Sequence, residues 1–96
     1  MRVRLLPEAE HELLEAAQWY KQQSFGLDYE FMRCIDEAIT RIARTPLMFP
    51  EVHSGKRRVL VKRFPYSIIF EVMKDDILIY AIFHFSRNPK RWKRRS

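Results

Sequence analysis

The sequence predicts an α+β domain with the order β-α-α-β-β-β, in which a helical hairpin packs on one face of a mostly antiparallel four-stranded sheet. Two patterns of apolar residues predict this fold. Apolar residues recur at helical spacing through residues 7–45, and from residue 57 onward they alternate at strand spacing. A short break at residues 24–26 implies that the helices are antiparallel. The 96 residues are predicted to form one domain, with residues 88–96 as a basic C-terminal tail.

The first strand and the first helix are predicted from adjacent signals. Val3 and Leu5 alternate with Arg2 and Arg4, as in a short strand. Pro7 suits the first position of a helix, because a helix leaves that backbone N–H without a partner in any case. The first helix is therefore predicted at about residues 7–23.

Each helix carries one apolar stripe. The members are Ala9, Leu13, Ala16, Ala17 and Tyr20 in the first helix and Leu27, Phe31, Ile35, Ala38 and Ile42 in the second. This spacing predicts core packing. The second helix is predicted at about residues 27–45, because Pro46 and Pro50 follow and predict an extended connection. Cys34 lies beside the stripe and is predicted to be unreactive.

Three strands are predicted near residues 57–63, 65–73 and 77–84, joined by short turns. The last two are apolar on both faces, as in the middle of a sheet. Two helices cover only one face, so the other is predicted to be partly open for a partner. Its candidate residues are Ile69, Met73, Leu78 and Ile82.

The charge is divided between the two halves of the chain. The formal net charge is +6, but residues 8–44 hold eight acids and four bases, whereas residues 52–96 hold twelve bases and three acids. The strand half therefore carries +9 against −4 for the hairpin. Such a surface attracts nucleic acid or an acidic protein, and the alternative is a device for solubility.

Several classes of protein are disfavoured. Cys34 is the only cysteine, so no internal disulfide forms. No apolar stretch reaches the roughly 18 residues of a membrane span, and no signal peptide is recognisable. The three histidines lack metal-ligand spacing, and two glycines cannot make a glycine-rich phosphate loop. We therefore expect a cytoplasmic protein without metal or cofactor and without membrane contact.

Two clusters are candidates for function. The first is a basic strand, where alternating side chains can track phosphates or, alternatively, can protect a sheet edge from aggregation. Its members are Lys56, Arg57, Arg58, Lys62 and Arg63, with Arg58 and Lys62 predicted on one face and Arg57 and Arg63 on the other.

The second cluster follows the last strand. His84 could move a proton, Arg87 could brace a phosphate, and Trp92 could stack on a base. The competing interpretation is structural, with His84 bonded to backbone and Trp92 as a lid on the core.

The ordered series of short motifs resembles the RelE/ParE toxins, especially the ParE-like, plasmid-stabilisation branch, over nearly the whole chain. It consists of Glu8-Ala9-Glu10-His11-Glu12-Leu13, Ala16-Ala17-Gln18-Trp19-Tyr20, Ile42, Pro46, Pro50, Arg57-Arg58-Val59-Leu60, Phe64-Pro65-Tyr66, Ile68-Ile69-Phe70 and His84-Phe85-Ser86-Arg87-Asn88-Pro89-Lys90-Arg91-Trp92. The resemblance implies the fold above and a cognate antitoxin whose C-terminal segment wraps the toxin.

The resemblance leaves three functions open. ParE-like members bind DNA gyrase, which is the function we expect here, with Lys56, Arg57, Arg58, Lys62, Arg63, Arg87 and Trp92 as the binding residues. RelE-like members cut messenger RNA in the ribosome, and His84 and Arg87 would then be catalytic. The terminal Tyr of some nuclease members is missing, and His84 has no obvious acid partner. The third possibility is a non-toxic basic module that binds nucleic acid.

Overall fold

The computed structural model describes residues 2–95. In chain order the elements are β1 (Arg2–Leu5), α1 (Pro7–Gln23), α2 (Leu27–Arg44), a 3-10 turn (Pro46–Met48), β2 (Glu51–His53), β3 (Lys56–Leu60), β4 (Tyr66–Val72), β5 (Asp76–His84) and α3 (Lys90–Lys93). The sheet order is β1-β5-β4-β3-β2. β1 and β5 are parallel and the other pairs antiparallel, so the predicted α+β class is confirmed.

The sheet has five strands rather than the four predicted, because β2 pairs with β3. Ser54 and Gly55 join them with φ values of 46° and 81°. A two-residue hairpin turn of this kind needs positive φ at both positions, which glycine adopts without strain. The extended connection predicted after Pro50 contains no strand, and the Ser54-Gly55 pair is the turn signal that indicates β2.

Both long helices pack on one face of the sheet around a cluster of aromatic rings. The ring centroid of Phe31 lies 5.1 Å from that of Tyr20 and 5.2 Å from those of Phe64 and Tyr66. Beside it lie the buried side chains of both apolar stripes, including Ala9, Ala16, Ile35, Ala38 and Ile42. The stripes predicted from helical spacing are therefore the core-facing stripes.

A β-bulge in β5 reverses which side chains face the helices. Ala81 pairs with Ile69 while Ile79 pairs with Phe70, so Tyr80 is an extra residue. One extra residue turns every later side chain to the opposite face. Ile82 consequently joins the helix-side core. Its predicted place on the open face was wrong, because strict alternation contains no signal for a bulge.

The opposite face, which we call the sheet face, is partly covered by the C-terminal segment. The buried members of its cluster are Ile69, Tyr80, Ala81, Phe83 and Trp92, with Leu78 packed against them. Trp92 comes from α3, an element that the sequence analysis did not predict within the basic tail. Met73, another candidate for this face, is exposed beyond the end of β4.

A buried ion pair fixes the C-terminal segment to the sheet. Arg95 donates two hydrogen bonds to the two carboxylate oxygens of Glu12, at 2.9 and 2.7 Å. It also donates to the carbonyl oxygen of Tyr80 at 2.8 Å, and Glu12 accepts from the backbone N–H of Ile82 at 3.1 Å. β1 ends opposite Ile79, so the pair satisfies edge groups of β5 that lie beyond the last β1 residue.

Candidate functional site

The predicted basic strand does not form one continuous cationic surface. Arg57 donates to the carbonyl oxygen of Phe49 at 2.7 Å, which ties β3 to the connection after α2. Lys62 and Arg63 lie beyond the end of β3, and each approaches a carboxylate of α2. The Lys62 Nζ is 3.9 Å from Glu37, and the Arg63 guanidinium is 2.9 Å from Glu30. The charges of Lys62 and Arg63 are therefore partly neutralised by the acidic hairpin.

The Glu30 carboxylate lies between two guanidinium groups, those of Arg63 and Arg33. The hydrogen bond from Arg63 is the largest cause of its lowered pKa, followed by the charge of Arg33. Arg63 reaches Glu30 with a positive φ of 71°, which is unusual for a residue with a side chain. The loop from residue 61 to 65 thus aims Arg63 at α2 and away from a shared face with Arg57.

Three of the predicted binding residues do converge on the sheet face. Arg58, Arg87 and Trp92 line a cavity of about 250 Å³, which we call the sheet-face cavity. Its other lining residues are Val52, Ser67, Ile69, Phe83, Phe85 and Pro89. Within residues 2–95, Arg58 makes no ion pair, so its charge is available to a partner. Two guanidinium groups over an apolar floor suit an anionic group carried by a protein or a nucleic acid.

Lys56 and Trp92, both predicted binding residues, are engaged in packing. Trp92 is 4% exposed and lies edge-on to His53, with ring centroids 6.1 Å apart. Lys56 is 9% exposed, and its ammonium lies 4.5 Å from the centre of the Tyr80 ring. Stacking of a nucleobase over the full Trp92 ring would require α3 to move. Very little of the Trp92 ring is thus available to a ligand in the sheet-face cavity.

A second concavity lies between α1 and the ends of β4 and β5, and we call it the helix-side groove. Its volume is about 550 Å³, and it is lined by Glu12, Glu15, Ala16, Trp19, Tyr20, Pro65, Tyr66, Ile82, His84, Ser86 and Arg87. The bulge places His84 here, on the opposite face of the sheet from Arg58. His84 and Arg87 lie together at the groove, but His84 and Arg58 do not share a site.

Glu15 and Tyr66 belong to this groove and were missed by the sequence analysis. The Arg87 guanidinium lies 3.6 Å from the Glu15 carboxylate. The Tyr66 ring is nearly perpendicular to that of His84, with centroids 5.0 Å apart, and burial raises the pKa of its hydroxyl. Glu15 is one helical turn from Glu12, but nothing in α1 indicates that Arg87 lies opposite. The Phe64-Pro65-Tyr66 turn was the available signal for Tyr66.

Arg87 is the one predicted residue that lines both concavities. Among residues 2–95, no three His, Cys, Asp or Glu side chains form a group that could hold a metal ion. Over the same residues, no helix combines the length and apolarity needed to cross a membrane. Both concavities combine apolar surface with charged groups, which are Arg58 and Arg87 in the sheet-face cavity and Glu12, Glu15 and Arg87 in the helix-side groove.

The sequence profile of the family described as "ParE toxin of type II toxin-antitoxin system, parDE" matches residues 3–89. The chain belongs to the ParE toxin family. Among solved structures, the one described as "Chromosomal ParDE TA system from P. aeruginosa" is similar, with a TM-score of 0.74 and 20% identity. The match covers 88% of this chain and 95% of that chain. No curated protein matches the sequence.

Membership of the ParE toxin family confirms the resemblance drawn from the ordered motifs. The matched region of this ParE-family chain includes Arg58 and Arg87, and it ends at residue 89, just before α3. The match therefore covers the helical hairpin, nearly all of the sheet, and the lining residues of the sheet-face cavity other than Trp92. The segment from Lys90 to Arg95, which partly covers the sheet face, lies outside the match.

Proposed function

We propose that the chain is a toxin that inhibits growth by binding DNA gyrase and that a cognate antitoxin neutralises it. The Glu15 carboxylate carries this choice between the two toxin mechanisms, because it lies 3.6 Å from Arg87 in the groove that also holds His84 and would repel a phosphate there. A nuclease needs its proton-transfer group and its charge-stabilising group at one phosphate. A protein that binds its target needs only a complementary surface, and the sheet-face cavity offers one.

The hydrogen bonds of His84 support the same choice. Its Nδ1 lies 3.0 Å from the Ser86 backbone N–H and 2.8 Å from the Ser86 hydroxyl. A backbone N–H only donates, so Nδ1 is the acceptor and a neutral ring carries its proton on Nε2. Nδ1 is thus already engaged, and neither nitrogen is free to take a proton from a substrate hydroxyl.

The antitoxin is the partner that we assign to the helix-side groove. The groove joins apolar walls to the charges of Glu15 and Arg87 at its rim, and both suit an amphipathic segment. The exposed Trp19 ring extends the apolar surface. The similar structure, described as a ParDE toxin–antitoxin system, supports an antitoxin in general terms.

Messenger RNA cleavage in the ribosome is the second candidate, and one observation favours it. Tyr80 donates a hydrogen bond of 2.8 Å to Glu71, and Lys56 stacks on the Tyr80 ring, all at the sheet face near Arg58. Burial, followed by the Glu71 hydrogen bond, raises the pKa of Tyr80. A proton donor, a carboxylate and cations are therefore near one another without His84, although Tyr80 is 6% exposed.

The first prediction separates these mechanisms in cells. Expression of the chain without antitoxin is expected to stop growth and induce the DNA damage response while messenger RNA stays intact. His84→Ala should leave toxicity unchanged within about twofold, because a gyrase ligand needs no proton transfer at that ring. Reporter induction and primer extension on messenger RNA are the measurements, with antitoxin co-expression as the control. Rapid ribosomal cleavage of messenger RNA would establish the nuclease instead, at His84 if His84→Ala abolishes the cleavage and at Tyr80 if it does not. Normal growth at confirmed soluble expression would leave only the non-toxic binding module.

The second prediction concerns the available charge of the sheet-face cavity. Arg58→Gln is expected to weaken binding to gyrase by about 10- to 100-fold, the equivalent of roughly 1.5–3 kcal/mol for a hydrogen bond to a charged group. Lys21→Gln is the matched control, because Lys21 is an exposed cation in the last turn of α1, far from the sheet face. Affinity is measured by titration with purified gyrase. Equal affinity of both variants would place the gyrase contact elsewhere.

A further inference from the structure

The C-terminal segment concentrates positive charge that the proposed function does not use. Residues 87–95 hold six Lys and Arg residues and no acid. Arg87 and Arg95 face Glu15 and Glu12. The other four, Lys90, Arg91, Lys93 and Arg94, are exposed and make no ion pair within residues 2–95.

The backbone that carries these cations is anchored to the domain rather than free as a tail. Trp92 anchors the middle of the segment in the sheet-face cluster, and Arg95 anchors its end through Glu12 and the carbonyl oxygen of Tyr80. Asn88 accepts a hydrogen bond of 3.0 Å from the backbone N–H of Lys90, which stabilises the turn before α3. An anchored array loses less conformational freedom when it binds than a free tail does.

Three of the four cations converge on one shallow depression between α3 and the start of α1. Its lining residues are Glu8, Asn88, Lys90, Arg91, Arg94 and Arg95, and its volume is about 640 Å³. Glu8 is the one carboxylate in this lining, whereas Arg95 is already paired with Glu12. Three unpaired cations against one carboxylate leave a net positive site. Lys93 lies on the same helix but outside the depression, with its ammonium 5.9 Å from the centre of the Trp92 ring.

We propose that this depression, which we call the terminal basic site, binds the phosphate backbone of duplex DNA. Lys90, Arg91 and Arg94 would each contact a phosphate, which gives affinity without reading sequence. A duplex is favoured over a single strand, because single-strand sites need exposed rings for stacking and the Trp92 ring is turned inward. The site is distinct from the sheet-face cavity, and the proposal rests on the proposed function only in choosing DNA over RNA.

The test measures binding of a labelled mixed-sequence DNA duplex to the full chain by fluorescence anisotropy. Three phosphate contacts predict a slope of about −2.7 for log affinity against log salt, or a loss of about 40-fold between roughly 50 and 200 mM salt. In the variant with Lys90→Gln, Arg91→Gln and Arg94→Gln, all three phosphate contacts are lost, so the slope is expected to become less negative by about 2.7. Lys93→Gln is the matched control and should change the slope by well under 0.9, the contribution of about one phosphate.

Glu8→Gln is an independent variant that is expected to change duplex affinity in the opposite direction. It removes the carboxylate from the depression and should strengthen duplex binding by a few-fold, without touching the cations. Thermal unfolding of each variant checks that α3 remains anchored. An unchanged slope in the triple variant, or an equal loss in Lys93→Gln, would overturn the terminal basic site.

Two further arms test the choice of ligand. Tighter binding of an RNA duplex of the same sequence would overturn the assignment to DNA, and binding to phosphatidylserine vesicles without duplex binding would assign the site to a membrane surface. Gyrase inhibition is measured separately. A chain that binds duplex DNA through these residues but leaves gyrase active supports this site and refutes the proposed target, and the reverse result refutes the site alone.

Discussion

Replacing Glu12 by alanine is expected to lower the free energy of unfolding by about 3–5 kcal/mol, the usual cost of breaking a buried ion pair by removing one partner. Glu12 and Arg95 are 7% and 10% exposed at their side chains, so solvent screens the pair very little. The substitution would leave the Arg95 charge buried and would remove the acceptor of the Ile82 N–H. For a chain of this size the melting temperature should fall by at least roughly 12 °C.

Two further variants make this prediction specific. Arg94→Ala removes an exposed neighbouring cation and is expected to change stability by less than about 0.5 kcal/mol. The double variant with Glu12→Ala and Arg95→Ala should lose less than the sum of the single losses, by on the order of 1–3 kcal/mol, because neither charge is then left alone. Chemical denaturation at fixed pH measures the wild type, the three single variants with Glu12→Ala, Arg95→Ala and Arg94→Ala, and the double variant. Additive losses would mean that the two side chains do not interact.

The repeating elements of the fold were predictable because their signals are local. Helical spacing and the breaks near Gly26 and Pro46 place both helices within a residue of their observed ends. Alternation places the last two strands within a residue of their observed ends, since a half-buried strand repeats every two residues, but it extends β3 to residue 63 whereas the strand ends at Leu60. The additional strand β2 is only three residues long, too short for a period to be visible, so its only signal was the turn at Ser54 and Gly55.

The candidate site was less predictable because it depends on contacts between distant residues. The bulge at Tyr80 has no local signal, yet it turns His84 toward the helices and away from Arg58. Glu12 lies in a helix whose first turns are rich in acids, and nothing local distinguishes its buried carboxylate from the exposed ones. Its partner lies 83 positions later in the chain. The basic strand likewise shows no sign that Arg63 faces Glu30.

The two faces of the sheet consequently serve different partners in our proposal. The helix-side groove combines apolar rings with the Glu15–Arg87 pair, and we assign it to the antitoxin. The sheet-face cavity holds Arg58, whose charge has no ion-pair partner within residues 2–95, and we assign it to the target. Arg87 lines both concavities and pairs with Glu15 in the helix-side groove. An antitoxin that alters the Arg87–Glu15 pair in our proposal therefore also alters the positive charge that Arg87 presents to the target in the sheet-face cavity.

The position of Trp92 leads to the last prediction, which tests packing against stacking. Trp92→Ala is expected to lower the free energy of unfolding by about 3–5 kcal/mol. The substitution removes an indole ring that is only 4% exposed and leaves a cavity in the sheet-face cluster. Trp92→Phe retains most of the apolar contact and should lose clearly less. If Trp92 instead served to stack on a nucleobase, truncation would leave stability unchanged and weaken ligand binding alone.

The same substitution should act first on the C-terminal segment. Without the indole, α3 has only the Arg95 contacts to hold it, so residues 86–95 should become more sensitive to proteolysis than the helical hairpin. Limited proteolysis and amide exchange measure this directly. Loss of the anchor would also disperse Lys90, Arg91 and Arg94, and duplex binding should weaken although no cation has been removed. Undiminished duplex binding by a Trp92→Ala protein with a released α3 would show that fixed positions are not needed at the terminal basic site.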